Sequence, residues 1–293
     1  MHQASGEDLW HWRQAARQQA IAHQVSPDEV DWVLLQVSDL DRLTLRLETL
    51  KTRPAITLAL PLETLAERWR TRVQQRSPVQ YVTGKAPWRE FELAVSPAVL
   101  IPRPETEQLV DLALLATQDR PSLRKGPWVD LGTGSGAIAI GLASTLPEAI
   151  IYAVDYSADA LAIARKNAQR VSFPQIRFCQ GIWFEPLQPL RGQIYGLVSN
   201  PPYIPTGSLR HLSPEVQHDP ALALDGGADG LEAIRHLAAA APDYLVSGGV
   251  WLVETMLGQP AAVVSLLERG PYRDVQTFAD LAGIERFVLA YRR

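Results

Sequence analysis

A single cysteine among 293 residues, Cys179, excludes an internal disulfide. The six histidines show no ligand-like spacing with it or with paired carboxylates, so no metal centre is expected. No apolar run approaches the length of a membrane span. The first residues, around Trp10 and Trp12, are broken by Arg13, Arg17 and several glutamines, unlike a signal peptide. A cytoplasmic chain with no membrane partner is the expectation. Charge of one sign is also lacking. Residues 1–80 carry 10 Lys/Arg against 10 Asp/Glu, the remainder carries 18 against 22, and the net formal charge is −4. Duplex recognition normally requires clustered phosphate-neutralising charge, so no direct DNA binding is expected and a protein partner is easier to accommodate. What is present is globular: 46% hydrophobic and 20% charged residues, in a chain long enough for one large domain with a smaller companion.

From Leu9 to about Arg76 apolar residues recur at helical spacing, as in Val30, Val33, Leu34 and Val37, which predicts a helical bundle over residues 1–76. Ser26-Pro27 reads as a cap with a first-turn proline, and Pro61 opens a later helix through Trp69. Residues 77–102 change character. Short extended pieces are expected around Gly84 and Pro87, with alternating Phe91, Leu93 and Val95 suggesting a hairpin connector. A helix is predicted from Pro104, its first turn carrying Glu105 and Glu107 where the helix dipole favours negative charge. After Gly126 strands alternate with helices. Strands are expected at Trp128–Leu131, Ile150–Val154, Ile176–Cys179, Ile194–Ser199 and Gly249–Glu254, with helices from about Ser135 and over Ala158–Ala168. This alternation predicts a parallel, doubly wound α/β sheet over residues 103–293. Val275–Phe278 and Arg286–Ala290 leave little room for a crossover between them and are expected to pair as an antiparallel edge.

Gly132-Thr133-Gly134-Ser135-Gly136 follows a strand and opens a helix, where small residues let a ligand approach unpaired N–H groups. Its spacing is one residue shorter than the dinucleotide pattern and suits a more compact ligand. Asp155 ends the next strand, 19 positions beyond Gly136. There its carboxylate can accept from both ribose hydroxyls, or instead cap the helix that begins near Ser157. These features alone leave a nicotinamide dehydrogenase open.

Asn200-Pro201-Pro202-Tyr203 lies at the carboxyl end of the strand Ile194–Ser199, where open α/β sheets place their ligands. Two prolines fix two φ angles and drive the preceding residue into extended backbone, so the turn is stiff. Stiffness serves orientation. An amide nitrogen is a poor nucleophile because its lone pair is delocalised; the Asn200 oxygen and a proline carbonyl can accept from an acceptor NH2 and localise that lone pair in line with a methyl sulfonium. Tyr203 can pack against a planar acceptor and exclude water. A dehydrogenase has no evident use for this clamp, so methyl transfer becomes the favoured chemistry.

Together with Pro78-Val79-Gln80-Tyr81-Val82-Thr83-Gly84, Ile101-Pro102-Arg103-Pro104-Glu105-Thr106-Glu107, Ala223-Leu224-Asp225-Gly226-Gly227 and Asp280-Leu281-Ala282-Gly283, these motifs make nearly the whole chain resemble the release-factor N5-glutamine methyltransferases, the PrmC/HemK family. The resemblance implies a Rossmann-like class I methyltransferase sheet preceded by a small helical substrate-docking domain and a β-hairpin connector. It implies S-adenosylmethionine as cofactor, bound by Gly132 to Gly136, Asp155 and Asn200, with Trp183 flanking the adenine. It further implies that Asn200, Pro201, Pro202 and Tyr203 hold the glutamine of the Gly-Gly-Gln loop of class I peptide chain release factors. Asn200, Pro201 and Tyr203 are then the catalytic candidates, and Arg103 and Glu105 are expected to border the substrate mouth. Two positions depart from the family pattern. Ile182 stands where relatives often carry Asp or Asn suited to the adenine amino group, and Met256 where glycine is common. The competing readings are an adenine or cytosine amino-methyltransferase acting on nucleic acid, since the clamp suits any planar NH2, and a cofactor-binding regulator without chemistry.

Overall fold

The computed structural model describes residues 2–293, which divide into two compact units. The first comprises residues up to Lys85 together with Ser213–His218. It contains β1 (His2–Ala4), α1 (Gly6–Ala22), α2 (Asp28–Val37), α3 (Arg42–Arg46), β2 (Ile56–Leu58), α4 (Leu62–Gln75) and α5 (Val79–Thr83). The predicted stripe is its core: Val30, Val33, Leu34 and Val37 are buried with Leu9, Ala16, Leu65 and Trp69. Ser5 caps α1 by accepting from the Asp8 amide at 3.0 Å. Ser26 accepts from the Asp28 amide, but from one residue before the Pro27 cap of α2. Two arginines join the helices from inside: Arg13 grips both Asp31 oxygens at 2.6 and 2.8 Å, and Arg72 both Glu29 oxygens at 2.7 and 2.8 Å.

Two local features of this unit differ from the sequence reading. It is not wholly helical, because β1 and β2 pair as a short antiparallel ribbon. Three residues per strand, with His2-Gln3-Ala4 on one side, are too few to leave a period-two signature. Residues 79–83 are also helical and not extended. Pro78 precedes the turn, and Gly84, left-handed at φ +72°, closes it by donating to the Gln80 carbonyl at 2.8 Å.

The second unit holds the β3 (Lys85–Trp88) and β4 (Phe91–Ala94) hairpin, with the unit boundary falling after Lys85. Then come α6 (Gln108–Ala116), preceded by a 3-10 turn over Glu105–Glu107, β5 (Pro127–Leu131), α7 (Ala137–Thr145), β6 (Ile150–Asp155), α8 (Ala158–Val171), β7 (Ile176–Gln180), β8 (Ile194–Ser199), α9 (Ala221–Leu224), α10 (Glu232–Ala240), β9 (Leu245–Glu254), α11 (Pro260–Glu268), β10 (Tyr272–Ala279) and β11 (Glu285–Arg292). The sheet order is β7-β6-β5-β8-β9-β11-β10. The strands from β7 to β9 run parallel, while β11 is antiparallel to β9 and β10 antiparallel to β11. The fold is therefore α/β, with the antiparallel C-terminal pair at one edge. Alternate residues of β9 serve opposite faces: Val250 and Leu252 join the core over α6 and α7, and Trp251 and Val253 the core over α10 and α11. The chain winds outward from β5 through β6 and β7, then returns to β8 on the other side of β5, so the switch point falls between β5 and β8.

Candidate active site

The carboxyl ends of three neighbouring strands, β8, β5 and β6, assemble the predicted residues. Leu131 of β5 pairs in register with Ser199 of β8, whose hydroxyl donates to the Leu131 carbonyl at 2.6 Å. The glycine loop and the Asn200 turn therefore leave the sheet side by side. On the other flank the Gly132 and Thr133 amides both donate to the Val154 carbonyl at 2.9 Å, which fastens the loop to the end of β6 beside Asp155.

Gly136 begins α7 at φ +83°, and a side chain there would meet Ala164 of α8 at 3.1 Å, so the turn requires glycine for both conformation and packing. Gly134 differs: a side chain added there would find nothing within 4 Å. That open side of the loop is where a ligand can approach the backbone. Asp155 faces it through the chain's own amides, accepting from Gly134 at 2.8 Å and Ser157 at 2.9 Å. Burial raises its pKa against the lowering by these bonds. Its loop and helix-start contacts coexist, one on each oxygen. The Trp183 ring reaches within 3.7 Å of where a Gly132 side chain would begin, so this half-buried indole flanks the same loop. The neighbouring Ile182 is exposed, and its amide is already committed to Glu185 at 3.0 Å.

Asp130 lies beneath the loop inside β5, fully buried. One oxygen accepts from the Thr133 hydroxyl at 2.5 Å and the Ala139 amide at 3.0 Å; the other, Oδ1, has no partner among the described residues. Burial pushes its pKa up to about 7 despite those two bonds. The sequence reading of the strand Trp128–Leu131 does not single out Asp130; an acid within a buried strand is the signal that points to it.

The Asn200–Tyr203 turn is held by groups distant in sequence. Asn200 donates through Nδ2 to the Thr106 hydroxyl at 3.1 Å, and Thr106 donates to Glu254 Oε2 at 2.7 Å. Tyr203 donates to Glu254 Oε1 at 3.2 Å. Both Thr106 and Glu254 are buried, and burial pushes Glu254 up to about 7, with its two hydroxyl donors and Arg286 opposing. Tyr203 is raised above the ordinary phenol value by burial and by the adjacent Glu254. Gln259 stiffens the exit of the turn, donating to the Tyr203 carbonyl at 2.9 Å and the Gly230 carbonyl at 3.2 Å while accepting from the Met256 amide. The Ala223–Gly227 motif laces onto the same segment: Ile204 donates to the Leu224 carbonyl and Gly226 to the Ile204 carbonyl. Asp280 of the late Asp-Leu-Ala-Gly motif holds Arg286 at 2.5 Å, which fixes that cation near Glu254 and Tyr203. Arg103 pairs with the buried Asp219 at 2.5 Å, while Glu105 opens the 3-10 turn.

A methyltransferase-domain family model matches residues 124–200, which span the glycine loop, Asp155 and Asn200. The release factor glutamine methyltransferase of Synechocystis sp. is 52% identical over 98% of this chain and 97% of its own length. That of Thermosynechococcus vestitus is 47% identical over 98% and 99%. The chain belongs to the release factor glutamine methyltransferase family. A third relative so named, from Gloeobacter violaceus, is 44% identical over 96% of each chain. Among solved structures, the catalytic domain of hMettl16, determined with a MAT2A 3′UTR hairpin, aligns with a TM-score of 0.55 at 14% identity over 88% of each chain, a likeness of fold. The release factor glutamine methyltransferase family is thus shown by relatives spanning both units. No helix among the described residues is long and apolar enough to cross a membrane.

Proposed function

We propose that the protein transfers a methyl group from S-adenosylmethionine to the side-chain amide nitrogen, N5, of the glutamine in the Gly-Gly-Gln loop of class I peptide chain release factors. The family membership supports the reaction. The observation that carries the assignment to residues is the Asn200 amide: its NH2 end is tied to Thr106, and its Oδ1 takes no hydrogen bond from the described residues. It is left as an acceptor on the turn that leaves the sheet next to the glycine loop.

The residues fit the cofactor. Gly134 leaves space over the loop, Asp155 ends the next strand, Trp183 supplies an aromatic wall, and Asp130 keeps an unpaired buried oxygen beneath Thr133. In this reading Gly132 to Gly136 let the ligand approach the backbone, Asp155 takes the ribose hydroxyls, and Trp183 lies against the adenine. When bound, S-adenosylmethionine supplies an electrophilic methyl carbon whose bond to sulfur breaks as the acceptor nitrogen attacks. Asn200 Oδ1 and the Pro201 carbonyl accept from the glutamine NH2, favouring the tetrahedral, positively charged nitrogen that develops; its surplus proton then leaves to solvent. Pro201 and Pro202 keep the turn rigid, and the Tyr203 ring covers the acceptor and excludes water. Residues 1–76 serve as the docking domain for the release factor, and exposed Ile21, Leu43 and Leu47 there supply apolar surface for such a partner. The cytoplasm is the site of action.

The test is labelling. Incubated with methyl-labelled S-adenosylmethionine and a purified class I release factor, the protein is expected to label the loop glutamine, located by peptide mass spectrometry. Parallel DNA and RNA samples are expected to stay unlabelled. Label on nucleic acid alone would establish the base-methylating alternative instead.

A further inference from the structure

Asparagine can turn either end of its amide toward an acceptor, and the two ends do opposite things. Oδ1 accepts from an NH2; Nδ2 donates and would repel one. Stiff backbone in the turn fixes where the side chain begins but not which end faces outward. That choice is made by the buried contacts behind it.

Thr106 has one proton to donate. Glu254, with both oxygens accepting, takes that proton at 2.7 Å on one oxygen and the Tyr203 proton at 3.2 Å on the other. The Thr106 oxygen facing Asn200 can then only accept, so the Asn200 atom 3.1 Å away must be the NH2. We propose that Thr106 and Glu254 form a positioning relay that fixes the polarity of the Asn200 amide and so presents its oxygen to the methyl acceptor. The relay rests on the function proposed above and deepens it. Neither residue touches the acceptor; each acts through Asn200, and Glu254 acts on Tyr203 as well.

Protonation of Glu254 reverses the logic. Its acid O–H can donate to Thr106, Thr106 can then donate to Asn200, and the amide turns its NH2 outward. The groups facing Glu254 are the Thr106 and Tyr203 hydroxyls, the Arg286 cation that favours the carboxylate, and Glu105 that disfavours it, with Arg103 acting on Tyr203. Burial sets the ionisation near 7, so the relay sits where ordinary pH changes reach it.

The experiment uses the full chain with S-adenosylmethionine and a class I release factor. Thr106→Val keeps the shape and removes the hydroxyl; Thr106→Ser restores it. Thr106→Val is expected to lower kcat about 10- to 100-fold, a share of what one transition-state acceptor contributes. Cofactor affinity and the KM for the release factor should stay within threefold, and Thr106→Ser should recover most of the rate. Wild-type kcat is expected to fall on the acid side of about pH 7, and Glu254→Gln to abolish that limb. Unchanged kcat in a folded Thr106→Val, or an acid limb that persists in Glu254→Gln, overturns the relay. If the wild type labels no release factor, the functional reading fails separately. The relay is then decided by the Asn200 side-chain NH2 resonances, expected to show a protected hydrogen bond that Thr106→Val removes. Identical resonances in the two proteins overturn it.

Discussion

At the scale of single residues, the proposed chemistry turns on which atom of a side chain its hydrogen bonds leave without a partner among the described residues. Asn200 is the clearest case, since its NH2 end is held and its oxygen is not, among the described residues. In the proposed function, truncation removes an acceptor that strengthens only as charge develops on the attacking nitrogen, so the loss should fall on kcat. Asn200→Ala is expected to lower kcat on the release factor by 10²- to 10³-fold, about 2.7–4 kcal/mol of transition-state stabilisation. Cofactor affinity by calorimetry should change much less. A variant with near-normal kcat would remove Asn200 from the chemistry. The turn and its partners differ in how visible they are from sequence. Asn200 to Tyr203 stand together, and their residue types suggest a clamp for a planar nitrogen. Thr106 and Glu254 lie 94 and 51 positions from the groups they bond in that turn, so only tertiary structure unites them.

At the scale of elements, the buried strands were readable because both faces are covered: β5, β6 and β8 are nearly continuous apolar runs ended by Gly, Asp or Asn-Pro, and the apolar end of β9 stops at Glu254. Ile194–Ser199 was located to the residue. The ribbon of β1 and β2 and the short helix α5 were not readable, each being too short to repeat its pattern twice. Nor does local pattern reveal that β11 lies inside β10, a choice made by packing against β9. The glycine loop offers a test in which one element separates folding from binding. Gly136→Ala places a methyl 3.1 Å from Ala164 at φ +83°, so it should destabilise the unit by roughly 1–3 kcal/mol, seen as a lower urea midpoint. Gly134→Ala meets nothing within 4 Å and bears only its own strain at φ +54°, about 1 kcal/mol. Its methyl instead enters the open space over the loop. Its expected signature is a tenfold or greater loss of cofactor affinity with a smaller shift in stability. Equal affinity in Gly134→Ala and wild type would remove the loop face from the cofactor site.

At the scale of the molecule, two buried acids couple the site to stability. Asp130 and Glu254 both belong to the second unit, and both are pushed up to about 7 by burial, from ordinary values of 3.8 and 4.5. Between those limits the folded state holds protons that the unfolded chain has released, so stability falls as pH rises through this window. Above the folded pKa the penalty is complete; below the unfolded value it is absent. For Asp130 alone the displacement corresponds to a few kcal/mol, roughly 4 at most. Lowered acids such as Asp229, at about 2, titrate below the window and do not mask it. Urea unfolding of the ligand-free protein at intervals from pH 5 to 8 is therefore expected to show a declining midpoint. In Asp130→Asn the oxygen keeps its acceptor role to Thr133 and Ala139, while the NH2 takes the place of the unpaired Oδ1, much as a protonated acid would. That variant should lose the Asp130 share of the decline and retain the Glu254 share. A slope identical to wild type would mean that Asp130 ionises as freely in the fold as in the open chain, so that burying it carries no pH-dependent cost.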